Sequence, residues 1–334
     1  MRIGVIGAGG WGTALTILLS DNGHEVALWQ FDPSVAEEMR AQRQNCLFLP
    51  GVSIPDGILI SSTLGEVISG RDMLVFAVPS QFMRSVARRV GLLEAAAPLV
   101  VSGTKGIEDK TLKRMSEVLL EEVPGLTMDR FVALSGPSHA EEVARRIPTT
   151  VVAASVSQSA AEMVQQAFMA PYFRVYTSSD VIGVELGGAL KNIIALASGI
   201  CDGLGLGDNA KGALMTRGLG EITRLGLCMG ARAETFAGLS GMGDLVTTCI
   251  SRHSRNRFVG EEIGKGRRLE DILSEMVMVA EGVQTTRSAY QLSQRLSVEM
   301  PITERVHAVL FEGYDPGKGV RDLMTRDAKP EIWA

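Results

Sequence analysis

The feature that most constrains this chain is a glycine-rich turn between a predicted strand and a predicted helix near the N-terminus. The run Gly7-Ala8-Gly9-Gly10-Trp11-Gly12 follows a buried-strand pattern at residues 2–6 and precedes a helical pattern at residues 13–20. Its glycines match the spacing G-x-G-x-x-G. We expect Gly7 to permit a tight turn, Gly9 to let a ligand approach the backbone, and Gly12 to let the helix pack against the strand.

A glycine turn in this context predicts a dinucleotide site, because a helix N-terminus offers unpaired N–H groups to a pyrophosphate. Asp32 stands after the second predicted strand, ~20 positions beyond the turn, where a carboxylate would bind the adenosine ribose of NAD. The same residue precedes Pro33 and could instead cap a helix. The nearest downstream basic residue that could accept the 2′-phosphate of NADP is Arg40. The residues therefore leave NAD and NADP both open.

Short apolar runs alternate with helical patterns through the first half of the chain. Strands are predicted at residues 2–6, 25–29, 73–78, 99–101 and 131–134, with extensions at 149–153 and 173–176. Continuous Val, Ile and Leu runs separated by helices are typical of a parallel sheet covered on both faces. From Asp180 onward helical spacing takes over, with helices predicted at residues 184–197, 214–227, 269–278, 283–296 and 303–311.

These patterns predict an α/β protein of two domains. Residues 1–184 should form a Rossmann-like domain with a doubly wound parallel sheet, and residues 185–334 an all-helical substrate domain, with a short frayed tail after Asp327. The formal net charge of −5 disfavours nucleic acid as a partner. No apolar run approaches the ~20 residues that cross a bilayer, and no signal-peptide pattern is present. Four scattered cysteines form no metal spacing. We expect a cytoplasmic protein without a metal.

Several polar residues are placed where they could bind a ligand. Lys105 follows a predicted strand between glycines, although a solvated surface lysine is the commoner case. Ser138 follows the next strand and could cap a helix, face the cofactor, or do both. Lys191 lies in an apolar helix, where loss of hydration would lower the pKa of its amine and make it a usable base. A lysine that extends from this helix to solvent is an equal alternative.

A second group of polar residues follows in the helical half. Asp244 lies in the glycine-rich stretch at residues 241–245, and Arg255 follows between Ser254 and Asn256. An arginine with nearby hydroxyl and amide donors suits a phosphate monoester. A solvated basic helix face is the alternative for the other arginines of this stretch. Glu281 and Gly282 form either a further ligand loop or only the start of a helix.

Longer motifs carry a resemblance over nearly the whole chain. They are, in order, GAGGWGTAL, FAVPS, TKGIE, SGPSHAEEV, VELGGALKNIIA, GLSGMGDLVTTC, SRNR, VAEG and MPI. The chain resembles the bacterial NAD(P)-dependent glycerol-3-phosphate dehydrogenases. The resemblance implies interconversion of glycerol 3-phosphate and dihydroxyacetone phosphate with NAD or NADP, at a site between the two domains. It also implies a supply of glycerol 3-phosphate for phospholipid synthesis. A homodimer is the base-rate expectation.

The resemblance also implies roles for individual residues. Lys191 would be the proton acceptor, and Lys105 and Asp244 would orient and tune the catalytic centre. Besides the glycine turn, the cofactor-binding residues would be Gly10, Trp11, Phe31, Asp32, Lys105, Ala140, Arg255, Val279 and Glu281. The substrate-binding residues would be Lys105, Gly136, Ser138, Lys191, Asn192, Asp244, Thr248, Ser254, Arg255 and Asn256. Phe31 departs from the histidine or arginine that is common in the family, which weakens the expectation of NADP.

Two other classes compete with this interpretation. The 3-hydroxyacid and 6-phosphogluconate-type dehydrogenases pair a lysine with an asparagine one helical turn later. Here Asn192 follows Lys191 directly, and Ala195 stands one turn on. A non-catalytic dinucleotide sensor would keep the glycine turn but would need no set of lysine, aspartate and arginine. Oxidation of NADH by a phosphorylated ketose distinguishes these classes.

Overall fold

A computed structural model describes residues 1–93 and 98–331 of the chain. The strands are β1 (Arg2–Ile6), β2 (Glu25–Trp29), β3 (Gln44–Asn45), β4 (Leu49–Ser53), β5 (Leu59–Ser61), β6 (Met73–Phe76), β7 (Leu99–Ser102), β8 (Phe131–Ser135), β9 (Thr149–Ala154) and β10 (Phe173–Ser178). The sequence had not indicated β3, β4 or β5. Residues 332–334 of the predicted tail lie outside the described residues.

Helices separate the strands and then make up the second half of the described chain. They are α1 (Gly10–Asp21), α2 (Pro33–Gln42), α3 (Leu64–Ile68), α4 (Met83–Gly91), α5 (Met115–Glu122), α6 (Ala140–Ala144), α7 (Gln158–Phe168), α8 (Val181–Gly203), α9 (Asp208–Cys228), α10 (Ala233–Ala237), α11 (Asp244–Ile250), α12 (Arg255–Gly264), α13 (Leu269–Glu275), α14 (Glu281–Leu296), α15 (Pro301–Phe311) and α16 (Pro316–Met324). The sequence had not indicated α10, α11, α12 or α16.

The main sheet has the strand order β5-β2-β1-β6-β7-β8-β9-β10. Its first six strands follow the 3-2-1-4-5-6 order of a dinucleotide-binding sheet. Alternate side chains of β1 enter two different apolar cores, Ile3 and Val5 on one side and Ile6 on the other. Helices therefore cover both faces, and the predicted fold class is confirmed.

The prediction of a fully parallel sheet needs one correction, since β9 pairs antiparallel with β8 and carries β10 with it. The connection between β8 and β9 contains only α6, which has five residues. A helix of that length spans about 7.5 Å, too little to return along the sheet as a parallel crossover requires. The chain therefore re-enters the sheet at the edge it has just left, and α6 stays beside α1 at that edge.

Helix α8 is the core of the helical half. By length and composition, this helix is apolar enough to cross a membrane, which the search for uninterrupted apolar runs in the sequence had not indicated. However, 89% of its most apolar stretch of 18 residues is buried inside the protein. Buried side chains of α9, α11, α12, α14 and α15 share one core with it. Because α8 begins at Val181, it spans the predicted domain boundary at residue 184, and that boundary stays a prediction.

Four glycines let α8 and α12 cross with their backbones in contact. A Cβ atom at Gly199 would lie 1.9 Å from the carbonyl oxygen of Arg257, and one at Gly203 would lie 2.2 Å from that of Glu261. On α12, a Cβ at Gly260 would lie 2.0 Å from the carbonyl oxygen of Leu196. Gly264 completes the pattern, so each helix contributes two glycines four residues apart, on one face.

Replacing one of these glycines should separate the helices. We expect Gly260→Ala to lower the free energy of unfolding by about 3 kcal/mol, because the added methyl meets backbone that cannot move aside. Gly212 is the matched control, since it lies within α9 and no atom of the part of the chain that the structure describes lies within 4 Å of its Cβ position. Gly212→Ala should raise stability by about 0.5–1 kcal/mol. Urea unfolding measures both, and equal stability of the two variants would contradict the close crossing.

Candidate active site

A central cavity opens where four strands of the sheet end. Its walls include the loops that follow β1, β6, β7 and β8, and it is closed on the other side by α8, α11, α12 and the start of α14. This position lies outside the carboxyl ends of the strands, where the strand order reverses between β1 and β6. Of the predicted site residues, Gly9, Gly10, Trp11, Lys105, Ser138, Ala140, Lys191, Asn192, Thr248, Ser254, Arg255, Asn256 and Glu281 line this cavity.

The glycine turn has the geometry of a phosphate cradle. Gly7 has a φ of +111°, and a Cβ at Gly12 would lie 1.8 Å from the carbonyl oxygen of Gly7. Gly9, by contrast, has no atom of the described residues within 4 Å of its Cβ position, and it faces the cavity. It is the N-cap of α1, and no side chain caps that helix. Open space and uncapped N–H groups fit a dinucleotide pyrophosphate.

Asp32 and Phe31 lie at the end of β2, outside the lining of the central cavity. The Asp32 carboxylate caps α2, because its Oδ1 accepts hydrogen bonds from Ser34 N at 2.8 Å and Val35 N at 3.4 Å. Its Oδ2 accepts no hydrogen bond from the described residues, so Asp32 can cap α2 and still bind a ribose hydroxyl. Phe31 is 71% exposed and stands edge-on to Trp29. An exposed aromatic ring at this position offers a flat surface to an adenine.

Two lysines share one buried aspartate at the base of the cavity. Asp244 Oδ2 accepts a hydrogen bond from Lys105 Nζ at 2.6 Å, and Oδ1 accepts one from Lys191 Nζ at 2.8 Å. Thr248 follows Asp244 by one turn of α11, and its Oγ1 accepts a second bond from Lys191 Nζ at 2.6 Å. Lys105 Nζ also donates to the carbonyl oxygen of Gly136 at 3.0 Å. Each ammonium therefore has one N–H position left for a ligand.

Burial and charge set the protonation of this centre. Burial lowers the pKa of Lys191, and the charge of Lys105 lowers it further against the opposing effect of Asp244, which brings it to about 8. Burial would raise the pKa of Asp244, but the two lysines outweigh burial and lower that pKa below its usual value. The carboxylate therefore stays ionised while Lys191 can gain or lose a proton near neutral pH.

A group of cationic and amide donors lies beside this centre at the N-terminus of α12. Ser254 is the N-cap of α12, and its Oγ accepts a hydrogen bond from Arg257 N at 3.2 Å. Arg255 begins the helix and lines the cavity, and none of its guanidinium donors is bonded to the described part of the chain. An unpaired guanidinium at a helix N-terminus is suited to a phosphate group.

The start of α14 connects the two halves of the molecule. Glu281 Oε1 accepts a hydrogen bond from Ser80 N, which follows β6, at 3.1 Å. Burial raises the pKa of Glu281, and the charge of Arg255 opposes that effect. Val279 is half-buried before this helix start and does not itself line the cavity, although its neighbour Met278 does.

Several lining residues were not singled out from the sequence. They are Phe48, Ala77, Val78, Pro79, Gly103, Thr104, His139, Glu141, His253 and Met278. Most of them lie within the motifs that carry the family resemblance, so the sequence marked these segments but gave no role to the individual residues. His139 and His253 lie with ring centroids 5.9 Å apart. Burial and the charge of Lys191 lower the pKa of His139.

Fold and site together define the class of nicotinamide-dependent dehydrogenases. A dinucleotide cradle, a buried lysine with a pKa near neutral and a free arginine meet in one cavity at the switch point of the sheet. The N-terminal model of the NAD-dependent glycerol-3-phosphate dehydrogenases matches residues 2–161, and the C-terminal model matches residues 180–321. The chain belongs to the NAD-dependent glycerol-3-phosphate dehydrogenase family, and the predicted family is confirmed.

Individual relatives agree with this assignment. A glycerol-3-phosphate dehydrogenase [NAD(P)+] of Syntrophotalea carbinolica is 55% identical over 332 residues, covering 99% of this chain and 100% of the relative. One of Geobacter metallireducens is 54% identical over 330 residues, covering 99% and 98%. The crystal structure of glycerol-3-phosphate dehydrogenase from Coxiella burnetii superimposes with a TM-score of 0.93 at 37% identity, covering 97% of this chain and 99% of that one.

The glycine turn gives a test that separates ligand binding from folding. We expect Gly9→Ala to leave the thermal unfolding midpoint unchanged, because the added methyl enters open space. The same methyl would occupy the space for a pyrophosphate and weaken NADH binding at least ~10-fold, or about 1.4 kcal/mol. Gly12→Ala should instead lower the unfolding midpoint. Fluorescence titration with NADH and thermal unfolding measure the two effects, and NADH binding of wild-type strength by Gly9→Ala would contradict the cradle.

Proposed function

We propose that this chain interconverts sn-glycerol 3-phosphate and dihydroxyacetone phosphate with NAD(H) or NADP(H), and that Lys191 exchanges the proton at the C2 oxygen. The observation that carries this proposal is the Lys191–Asp244–Lys105 centre within the dinucleotide cavity. The nicotinamide ring of the bound cofactor supplies or accepts the hydride, and the protein supplies alignment and charge.

The hydrogen bonds of Lys191 explain how it would work as an acid and a base. Two of its N–H groups are directed at Asp244 and Thr248, so the remaining position of the nitrogen is available to the cavity. In the oxidation of glycerol 3-phosphate, that position holds a lone pair and takes the C2 hydroxyl proton. In the reduction of dihydroxyacetone phosphate, it holds a proton that passes to the carbonyl oxygen.

The other charged groups would position the substrate. Arg255 and Asn256, with Ser254, anchor the phosphate at the N-terminus of α12. Lys105 directs its free N–H at the oxygen on C2 and stabilises the negative charge that develops there during reduction. The predicted contacts of Gly136 and Ser138 are part of the same proposal, since Ser138 Oγ donates to the Gly136 carbonyl oxygen at 2.9 Å.

The adenosine end favours NAD(H) over NADP(H). Asp32 keeps Oδ2 free to accept a hydrogen bond from a ribose hydroxyl, and its negative charge would repel a 2′-phosphate. Arg40 is engaged with Glu37 and with the carbonyl oxygen of Ile60, so it is not free to neutralise such a phosphate. Phe31 offers no charge or hydrogen bond to it.

The direct test follows the absorbance of NADH and of NADPH with purified protein and dihydroxyacetone phosphate. We expect both NADH and NADPH to be oxidised in the presence of dihydroxyacetone phosphate, with a higher kcat/KM for NADH. A hydroxyacid-pathway substrate serves as the control and should give no turnover. Intact dinucleotide binding without turnover of dihydroxyacetone phosphate would contradict the proposed reaction and favour a dinucleotide sensor or another substrate.

Removal of the proposed proton acceptor should affect chemistry far more than cofactor binding. We expect Lys191→Ala to lower kcat by about 10²–10⁴-fold, the usual contribution of general acid–base catalysis. Its dissociation constant for NADH should stay close to that of wild type. Lys318→Ala, an exposed lysine of α16, is the matched control and should behave as wild type. Wild-type turnover by Lys191→Ala would remove Lys191 from the mechanism.

The pH dependence should differ in sign between the two directions. Oxidation needs the neutral amine, so its kcat should rise as the pH increases through the Lys191 pKa of about 8. Reduction needs the ammonium, so its kcat should fall over the same interval. Asp244→Asn removes the counter-charge and should move both midpoints to lower pH. Steady-state rates from pH 6 to 10 measure this, and profiles with no inflection in that interval would contradict the assignment.

The wider expectations belong to the same proposal. The enzyme would be a cytoplasmic homodimer without nucleic acid, membrane or metal partners, and it would supply glycerol 3-phosphate for phospholipid synthesis. Residues 1–184 would bind the dinucleotide, and residues 185–334 would complete the substrate site. Val279 and Glu281 would close over the nicotinamide, and Ala140 would lie along the cofactor.

A further inference from the structure

One buried amide links three helices at the edge of the central cavity. Asn256 Oδ1 accepts a hydrogen bond from the backbone N–H of Gly282 at 2.9 Å. Asn256 Nδ2 donates to Asn192 Oδ1, also at 2.9 Å. The three residues lie on α12, α14 and α8, and all three are buried. The N-cap of α14, Ala280, has no side chain that could cap the helix, so Asn256 takes that place from a neighbouring helix.

The backbone N–H of Gly282 fixes the direction of both hydrogen bonds in this series. A backbone N–H can only donate, so the Asn256 atom that faces Gly282 must be the oxygen. The Asn256 nitrogen is then the atom that faces Asn192, and the Asn192 atom that meets it must be the oxygen. The NH₂ group of Asn192 then makes no hydrogen bond with the described residues. Because Asn192 lines the cavity, this group is available to a ligand there.

We propose that Gly282 is a positioning residue, whose N–H fixes both asparagine amides so that Asn192 presents only hydrogen-bond donors to the substrate phosphate. A phosphate oxygen accepts hydrogen bonds and repels a carbonyl oxygen, so an inverted Asn192 would weaken the site. This inference rests on the proposed function, because it assigns the phosphate of that reaction to Asn192.

The residue at position 282 must also be glycine for this arrangement to exist. A Cβ at Gly282 would lie 2.8 Å from Asn256 Oδ1 and 2.8 Å from the backbone oxygen of Asn192. One of these two atoms is the acceptor of the orienting bond, and the other is backbone of α8. An added methyl would therefore displace the Asn256 amide that the N–H of residue 282 holds. The rest of α14 would stay a normal helix.

The test compares Gly282→Ala with a matched glycine. We expect Gly282→Ala to lower kcat/KM for dihydroxyacetone phosphate at least ~10-fold, or about 1.4 kcal/mol, mainly through KM. Its affinity for NADH should stay within about 2-fold of wild type. Gly317 is also the second residue of its helix, α16, and its Cβ position has only ordinary contacts. Gly317→Ala should therefore match wild type, and wild-type KM in Gly282→Ala would overturn the proposal.

A double-mutant cycle tests whether Gly282 acts through Asn192. In an Asn192→Ala background, Gly282→Ala should lower kcat/KM by a clearly smaller factor than in wild type, because the Asn192 amide is already gone and only the effect on Asn256 remains. An undiminished loss in that background would overturn the proposal. Wild-type turnover of dihydroxyacetone phosphate with NADH, measured in the same series, tests the proposed function separately. Inactive wild type rejects that function, whereas active wild type with a normal Gly282→Ala variant rejects only the positioning role.

A measurement on the wild-type protein decides the matter if Gly282→Ala does not fold. The side-chain NH₂ resonances of Asn192 are assigned in ¹⁵N–¹H spectra by their loss in Asn192→Ala. We expect them to shift when inorganic phosphate is added to the NADH-bound protein. Saturating phosphate that leaves these resonances unmoved would overturn the donor role of Asn192.

Discussion

The active-site geometry depends on the backbone contact between α8 and α12. Gly199, Gly203, Gly260 and Gly264 remove the side chains that would otherwise hold these helices apart. Side-chain-mediated helix pairs have axes about 8–10 Å apart, and glycine pairs permit closer approach. The contact brings the two substrate-facing segments together, with Lys191 and Asn192 on α8 beside Arg255 and Asn256 at the start of α12. Helix α11 completes the centre, because Asp244 and Thr248, one turn apart, both reach Lys191.

The same close packing gives Lys191 its chemistry. A helix that is mostly buried leaves its lysine with little water, which disfavours the charged form and lowers the pKa of the amine. Without a counter-charge, burial would lower the pKa of this amine further, and the Asp244 carboxylate opposes that effect. Lys105 shares that carboxylate, so one negative charge serves two positive ones. The resulting balance holds Lys191 at a pKa of about 8, where proton transfer in both directions is possible.

Local patterns predicted the first part of the molecule well, and long-range contacts explain what they missed. The bounds of β2 follow from its own apolar run, and the Gly7 and Gly12 roles follow from the turn spacing. The reversed direction of β9 depends on the length of the connection before it, which no residue type signals. Helix α12 was missed because it is polar and carries mid-helix glycine, and its stability comes from packing on α8. The role of Lys191 could not be separated from that of a solvent-reaching lysine, since Asp244 is 53 positions away in sequence.

In the proposed mechanism, the folded protein lowers the pKa of Lys191 into the range where it can exchange a substrate proton. The most direct measurement is a ¹³C NMR titration of the lysine Cε resonances, with the Lys191 signal assigned by its loss in Lys191→Arg. We expect this signal to titrate with a midpoint near the pKa of about 8 that burial and charge give Lys191. The midpoint should also move to lower pH in Asp244→Asn, because the counter-charge is lost. A Lys191 midpoint at the value of about 10.4 that is normal for lysine, in wild type and variant alike, would contradict the proposed role of Lys191.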